Sequence, residues 1–443
     1  MSMPTKQDAI KLLDVFDPEM AGLLHREERR QFETIGLIAS ENVASPLSTC
    51  LEGSVFTNKN TEGYPGKRFV GGCELADQAE LLALERVKKV FGAEHANIQS
   101  GNATIANCAV LTGLLERGDT FLGLTLDNGG HLSHGAKFHY SGREFKAYHY
   151  GVNKETERID MEQVRQMALQ YHPKLIVTGA SSYPRAIDYA AFRKICDEVG
   201  AYFWVDCAHD IGLIAGGAIP SPVPYADVVT FSTQKTLRGP RGCGVILCKE
   251  ALGKQIDRGV FPRIQGGPKG DMLAARGVLF LELLQPEFKA YAQQVVKNAA
   301  ALAKGCADEG MRLITGGTDT HMVMLDVTPV IDNGQVAETL LASVGIITNK
   351  NMIPYDTLPP SLGSGLRIGS PTMTTRGAKE AELYEIGRLL GKVLKNKDNA
   401  AVLEQVKKEV YQIATSHPMF SSEWAPAVIR EEFDKMYCHL RYE

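Results

Sequence analysis

Between residues of about 51 and 295 the chain alternates short apolar runs with longer helix-like stretches. The runs Thr120–Leu126, Lys174–Thr178, Tyr202–Asp206, Val228–Ser232 and Gly244–Leu247 have the length and apolar continuity of buried strands. Glu80–Phe91 and Tyr189–Val199 between them have helical spacing. That alternation predicts an α/β fold with a large, mostly parallel sheet and helices on both faces. Residues 1–50 read as a helical N-terminal arm. From 296 to 443 the pattern changes. A helix over Val295–Glu309 leads to strand candidates Arg312–Thr315 and Met322–Val327, and helices dominate from Ala378. The expected division is an arm (1–50), a large domain (51–295) and a small C-terminal α/β domain (296–443).

Bulk properties narrow the classes of function. A chain of 443 residues exceeds what one hydrophobic core usually holds. A formal net charge of -4 with no long basic run points away from nucleic acid. No apolar stretch approaches the roughly 20 residues that span a bilayer, so no membrane association is expected. The first residues have neither a signal peptide's apolar segment nor a transit peptide's composition. Nine scattered cysteines without a CxxC read as reduced thiols, which points to the cytoplasm.

Chemistry in a parallel α/β sheet gathers at the carboxyl ends of strands, where helix N-termini offer unpaired N–H groups. Several polar clusters fall at such places, and an arginine stands out in the small domain. Ser100-Gly101-Asn102 precedes the helix-like run Ala103–Leu115 and suits a phosphate; an ordinary helix cap is the plainer alternative. Asp206 ends an apolar strand, where a carboxylate is costly unless paired. It suits a protonated ring nitrogen, or equally a helix cap. Lys235 follows the apolar run Val228–Phe231 and is flanked by hydroxyls and glycine. Desolvation there lowers an amine's pKa and makes it the nucleophile of a Schiff-base lysine. His131, in the stretch from Asn128 to Gly135, suits stacking on a flat ring. His134 beside it raises a metal pair, but no matching ligand set accompanies the two, and no metal is expected. Arg367, inside an apolar strand, requires an anion such as a substrate carboxylate or an ion-pair partner.

Together these clusters resemble the serine hydroxymethyltransferase family in order and spacing. The matching stretches are SENVASP, EGYPGKR, GGHLSHG, YADVVTFSTQKTLRGPRG, QGGP, NKNMIP and RIGSPTMTTRG, spread over about 30 to 395. The resemblance implies the aspartate-aminotransferase-like, fold-type I architecture, pyridoxal 5'-phosphate (PLP) as cofactor, and a homodimer with shared active sites. It implies Lys235 as the residue that holds the cofactor, Asp206 as partner of its ring nitrogen and His131 as the stacking ring. Ser100, Gly101 and Asn102 match the phosphate turn, while Ser181 and His209 match contacts near the cofactor hydroxyl. Ser40 and Arg367 match a carboxylate clamp, with Glu62 and His209 also facing the amino acid. Glu62 matches the acid/base carboxylate, supplied across the dimer. Asn60, Gly266 and Gly267 match positions that reach the neighbouring subunit's cofactor. Leu126, Leu132 and Asn351 match positions that hold folate.

The resemblance also shows departures. Asn60, Phe69, Val70 and Gln234 stand where the family usually has tyrosine or, before the lysine, histidine. Asn102 replaces a usual serine, and Lys269-Gly270-Asp271 follows QGGP. Amide side chains donate hydrogen bonds but transfer no protons near neutral pH. The expected function is therefore an enzyme that makes or breaks the Cα–Cβ bond of a β-hydroxy amino acid, glycine-, serine- or threonine-like, by retro-aldol and aldol chemistry. Tetrahydrofolate is the carrier the resemblance allows. A folate-independent threonine aldolase or transaldolase, or another diverged PLP enzyme, stays open, as does a non-catalytic PLP-binding relative.

Overall fold

The computed structural model describes residues 6–437. Its centre is a seven-stranded sheet. We number the strands β1 (His95–Asn97), β2 (Thr120–Leu124), β3 (Lys146–Tyr150), β4 (Leu175–Thr178), β5 (Tyr202–Asp206), β6 (Val228–Ser232) and β7 (Gly244–Cys248). Their spatial order is β1-β7-β6-β5-β4-β2-β3. Strands β2 to β6 are mutually parallel, while β7 runs antiparallel to both β6 and β1. The sheet is thus mostly parallel, as the alternating pattern predicts.

Side chains two apart share a face. Leu122, Ile176, Phe203, Val205, Val229 and Val245 point to one core. Phe121, Val177, Trp204, Val228 and Ile246 point to the opposite one. Burial on both faces explains why the strands read as continuous apolar runs rather than alternating ones. The second face is covered by the helix Ala103–Leu114 through Ala106, Ala109 and Val110. Asp206 is even-numbered like Trp204, so it faces that helix.

A second core lies beneath a four-stranded antiparallel sheet. Its strands are β8 (Arg312–Leu313), β9 (Met322–Asp326), β10 (Asn349–Asn351) and β11 (Gly365–Gly369), ordered β8-β9-β11-β10. One 23-residue helix, Pro286–Asp308, serves both cores. Phe288, Tyr291 and Val295 enter the first, and Ala299, Leu302 and Cys306 enter the second. The change of pattern at 296 is therefore the point where a continuous helix passes from one core to the other.

The N-terminal segment departs from the helical expectation. Helices Lys6–Phe16 and Pro18–Glu33 end before Ile35–Gly36, which pairs parallel with Ile346–Ile347. Ile35 and Leu37 belong to the second core. Gly36, which is poor in a helix, and the apolar run around it favour extended chain tied to the small sheet.

Candidate active site

The carboxyl ends of β2, β5 and β6 supply the polar centre. Asp206 ends β5 opposite Thr230 of β6, so the turn after β6 brings Lys235 to the same end of the sheet. The chain after β2 coils into two short turns, Leu126–Asn128 and Leu132–His134. Gly129 has φ +102°, and a Cβ on Gly130 would lie 2.2 Å from the Leu124 carbonyl oxygen. Only glycines allow this return, which sets His131 and His134 over the strand ends.

Asp206 is buried and accepts three hydrogen bonds. Oδ2 accepts from His134 Nε2 at 3.0 Å and from Asn107 Nδ2 at 2.7 Å, and Oδ1 accepts from the Ala208 amide at 3.0 Å. Burial alone would raise its pKa. The hydrogen bond from His134 comes first among the influences that hold it well below the usual carboxylate range instead, with His131 and the Ala208 amide adding to it. Because His134 Nδ1 accepts from the His131 amide at 3.4 Å, its proton belongs on Nε2, facing Asp206. Asn107 also donates to Ser133 Oγ at 2.8 Å, and Ser133 Oγ lies 2.7 Å from His131 Nδ1. One hydrogen-bonded chain thus joins His134, Asp206, Asn107, Ser133 and His131. Burial brings the His131 imidazole down to about 4, so at neutral pH it is an uncharged flat ring.

The sequence argument against a ligand set did not foresee that Asp206 joins the two histidines. Ligand atoms of His131, His134 and Asp206 lie within 4.8 Å of one another. They are already committed to each other, to Asn107 and to Ser133, which leaves His134 no free lone pair. Asn107 had no legible signal, since it sits inside the apolar helix Ala103–Leu114.

Lys235 lies next to this chain. Desolvation brings its amine down to about 8; the charge of Asp206 works the other way, and Arg367 adds to the fall. Asn42 Nδ2 donates to the Lys235 carbonyl at 2.9 Å and pins the backbone. Gln234 beside it has a buried Oε1 without a partner. His209 is buried, with Nδ1 3.3 Å from His321 Nε2. Burial, then the charges of Lys235 and Arg367, push His209 well below its ordinary value.

Ser100, Gly101 and Asn102 stand at the N-terminus of the helix Ala103–Leu114. Asn102 caps it through Ile105 N at 2.9 Å. Gly101 N donates to Gln265 Oε1 at 3.1 Å, and Gln265 Nε2 donates to the Gln99 carbonyl at 2.8 Å. Ser100 Oγ is buried without a partner. Such an orphaned hydroxyl at a helix N-terminus fits a phosphate. With a nucleophilic amine, a buried carboxylate and a neutral flat ring close by, these residues fit PLP as a set.

Arg367 on β11 reaches into the same cleft. Its Nη1 donates to the Ser181 carbonyl at 2.7 Å and its Nε to Asn349 Oδ1 at 3.3 Å, and these bonds fix the guanidinium plane. Ser40 is brought beside β11, because Gly369 N donates to the Leu37 carbonyl at 2.8 Å and packs on Ala39. Ser181 is placed by its amide bond to the Gly129 carbonyl at 2.8 Å. Leu126 and Leu132 stand on the turns after β2, and Asn351 on β10.

Asn60, Glu62 and Gly267 pack together, and Gly266 follows Gln265, whose side chain accepts from Gly101. Asn60 Oδ1 accepts from the Glu62 amide at 3.0 Å, and Gly267 packs directly on both residues. Buried Arg68 braces this loop through the Thr61 and Gly63 carbonyls and through Glu80. Among the described residues, no side chain of this group bonds to Lys235, His131, Asp206 or His209. Phe69 and Val70 next to it are 72% and 36% exposed. Phe69 meets the Phe261 ring at 5.6 Å.

Comparison with known proteins places the chain among named relatives. A family model described as serine hydroxymethyltransferase matches residues 13–390. The serine hydroxymethyltransferase of Coprothermobacter proteolyticus is 51% identical over 404 residues, covering 91% of this chain and 97% of that protein. The namesake from Myxococcus xanthus is 49% identical over 413 residues, covering 93% and 99%. That from Koribacter versatilis is 49% identical over 404 residues, covering 91% and 95%.

Proposed function

The chain belongs to the serine hydroxymethyltransferase family, and from that premise we propose how its own residues carry the reaction. It is a PLP-dependent transferase that acts on the Cα–Cβ bond of serine and glycine, with tetrahydrofolate as one-carbon carrier. A folate-independent transaldolase is not favoured, since whole-chain identity near one half is to proteins named for hydroxymethyl transfer.

The observation that carries the assignment of roles is the Lys235 amine, brought down to about 8 beside the chain His134–Asp206–Asn107–Ser133–His131. About a tenth of such an amine is neutral at pH 7, against well under a thousandth for an ordinary lysine. Lys235 is therefore primed to attack a carbonyl carbon and hold PLP covalently. Bound there, PLP supplies an electron sink for the pair left on Cα when the Cα–Cβ bond breaks. Asp206 stays anionic and would hold a protonated ring nitrogen, and His131 would cover the ring as a neutral plane. Ser100, Gly101 and Asn102 would hold the phosphate. Ser181 and His209 would flank the cofactor hydroxyl, and Gln234, with its buried Oε1 unpartnered, could bond to the cofactor.

Arg367 and Ser40 hold the amino acid's carboxylate, which orients the bond to be broken. Glu62 moves the proton of the β-hydroxyl, and Leu126, Leu132 and Asn351 line the folate side. We place Glu62, Asn60, Gly266 and Gly267 at the neighbouring subunit's site, so the working unit is a homodimer. Among the described residues, no side-chain bond joins them to the chain's own Lys235, which supports this. The cytoplasm is the proposed setting, and seven described cysteines are buried thiols. Among the described residues, no helix is long and apolar enough to cross a membrane.

Incubating the purified holoenzyme with serine and tetrahydrofolate tests the function. Glycine and methylenetetrahydrofolate are expected in equal amounts. Serine left intact by a protein that has bound PLP contradicts it.

A further inference from the structure

Asp210 has no part in the reaction as described. It follows His209 and stands before the short helix Ile211–Ala215 without making a capping bond. The first turn of that helix is held instead by Thr236, whose Oγ1 accepts from the Gly212 amide at 3.0 Å and donates to the His209 carbonyl at 2.7 Å. The turn carrying Asp210 is thereby bound to the residue after Lys235. Burial of a carboxyl that caps nothing is costly, so the surroundings decide what its charge does.

The groups facing Asp210 come from every neighbouring element. They are Lys235 after β6, Asp206 and Cys207 at the end of β5, Tyr189 from the helix Tyr189–Val199, and His321 before β9. Burial pushes the Cys207 thiol and the Tyr189 phenol well up, so both are neutral. His321 Nδ1 lies 3.6 Å from Asp210 Oδ1, and its Nε2 lies 3.3 Å from His209 Nδ1. The two imidazoles stack with centroids 5.5 Å apart and planes 17° from parallel. Burial brings His321 down to about 3, so this pair is neutral as well. Two groups remain that change charge near neutrality. One is Lys235, brought down to about 8. The other is Asp210, which burial pushes up to about 7 while the charge of Lys235 pulls it down and that of Asp206 adds to the rise.

We propose that Asp210 is a positioning residue for Lys235, a buried carboxyl 3.6 Å from the stacked His321–His209 pair, on the turn that Thr236 ties to the Lys235 segment, and that its charge sets the protonation of the Lys235 nitrogen. An ionised Asp210 favours the positively charged form of that nitrogen, and a protonated Asp210 releases it to the neutral form. His321 and His209 add no competing charge, so the carboxyl acts on Lys235 directly. The inference rests on Lys235 as the residue that binds PLP.

The test is a pH titration of the visible absorption of the wild-type holoenzyme and of Asp210→Asn and Asp210→Glu. Loss of one charge several ångströms away in a protein interior moves a neighbouring pKa by about one unit. The midpoint is expected about that much lower in Asp210→Asn and mostly restored in Asp210→Glu. Equal midpoints in folded wild type and Asp210→Asn overturn the proposal. If Asp210→Asn does not fold, the infrared carboxyl band of wild-type protein carrying 13C-aspartate decides. A protonated aspartic acid that titrates near neutral supports the proposal, and none at pH 6 overturns it. The infrared measurement is repeated on cofactor-free chain, so a failure of the Lys235 assignment, seen as no visible band, stays distinct from a failure here.

Discussion

Replacing Lys235 by methionine is expected to stabilise the cofactor-free protein at neutral pH while abolishing covalent cofactor binding. The amine is brought down from 10.5 to about 8, with desolvation as the first cause. That difference is worth about 3 kcal/mol. Lys235 is only half-buried by accessible surface, so solvent screening trims it toward about 2 kcal/mol. The sign follows from proton binding. Below about pH 8 the ammonium exists in folded and unfolded chains alike, and the fold bears the whole penalty. Between about 8 and 10.5 the unfolded chain keeps a proton that the folded chain has released. Wild-type stability then rises with pH by up to about 1.4 kcal/mol per unit. Methionine is similar in length and carries no charge, so its advantage is constant below about pH 7.5 and shrinks above. Urea unfolding of both proteins without cofactor, at fixed protein concentration from pH 6.5 to 9.5, measures this. The advantage of Lys235→Met should fall by at least about 1 kcal/mol by pH 9.5. A difference that does not change with pH refutes the desolvated amine.

Arg367→Lys keeps the charge but loses the planar fork, so the KM for serine should rise about 10- to 100-fold, with the cofactor spectrum unchanged before substrate is added; an unchanged KM removes Arg367 from the carboxylate. Asn107→Ala deletes a buried bond to the Asp206 carboxylate and one to Ser133. It should cost about 1.5–3 kcal/mol in urea unfolding and weaken PLP retention in dialysis, and wild-type values for both discount the chain through Asn107. Equal amounts of Glu62→Gln and Lys235→Met subunits, unfolded and refolded together, should regain up to about one quarter of wild-type activity, because half of the dimers then hold one intact site. No regained activity with exchange verified by mass counts against sites shared across the dimer.

The parallel sheet was legible because its strands are apolar on both faces. Tyr202–Asp206 and Val228–Ser232 coincide with the observed β5 and β6. Strand β3, Lys-Ala-Tyr-His-Tyr, was not, since it lies at the sheet edge and only Tyr150 is fully buried. The helix expected from Val295 begins at Pro286, where a proline at the first position starts it. At the site, Lys235, Asp206 and His131 were legible because each is a polar group in apolar or glycine-rich chain at a strand end. Asn107 was not, because it is 99 residues from Asp206 and its helix neighbours are apolar. His134 was visible only as half of a metal pair. Its bond to Asp206 spans 72 residues and depends on the glycine turn after β2. Asp210 carried no signal at all, since an aspartate before a short helix reads as a cap, and only the structure shows that it caps nothing.

Borohydride reduction of the holoenzyme, followed by digestion and mass spectrometry, tests the central assignment most directly. The reduced phosphopyridoxyl group should lie on the peptide containing Lys235, and on no peptide of Lys235→Met. Its presence on another lysine, or its absence from wild-type protein that has bound PLP, would contradict Lys235 as the residue that holds the cofactor.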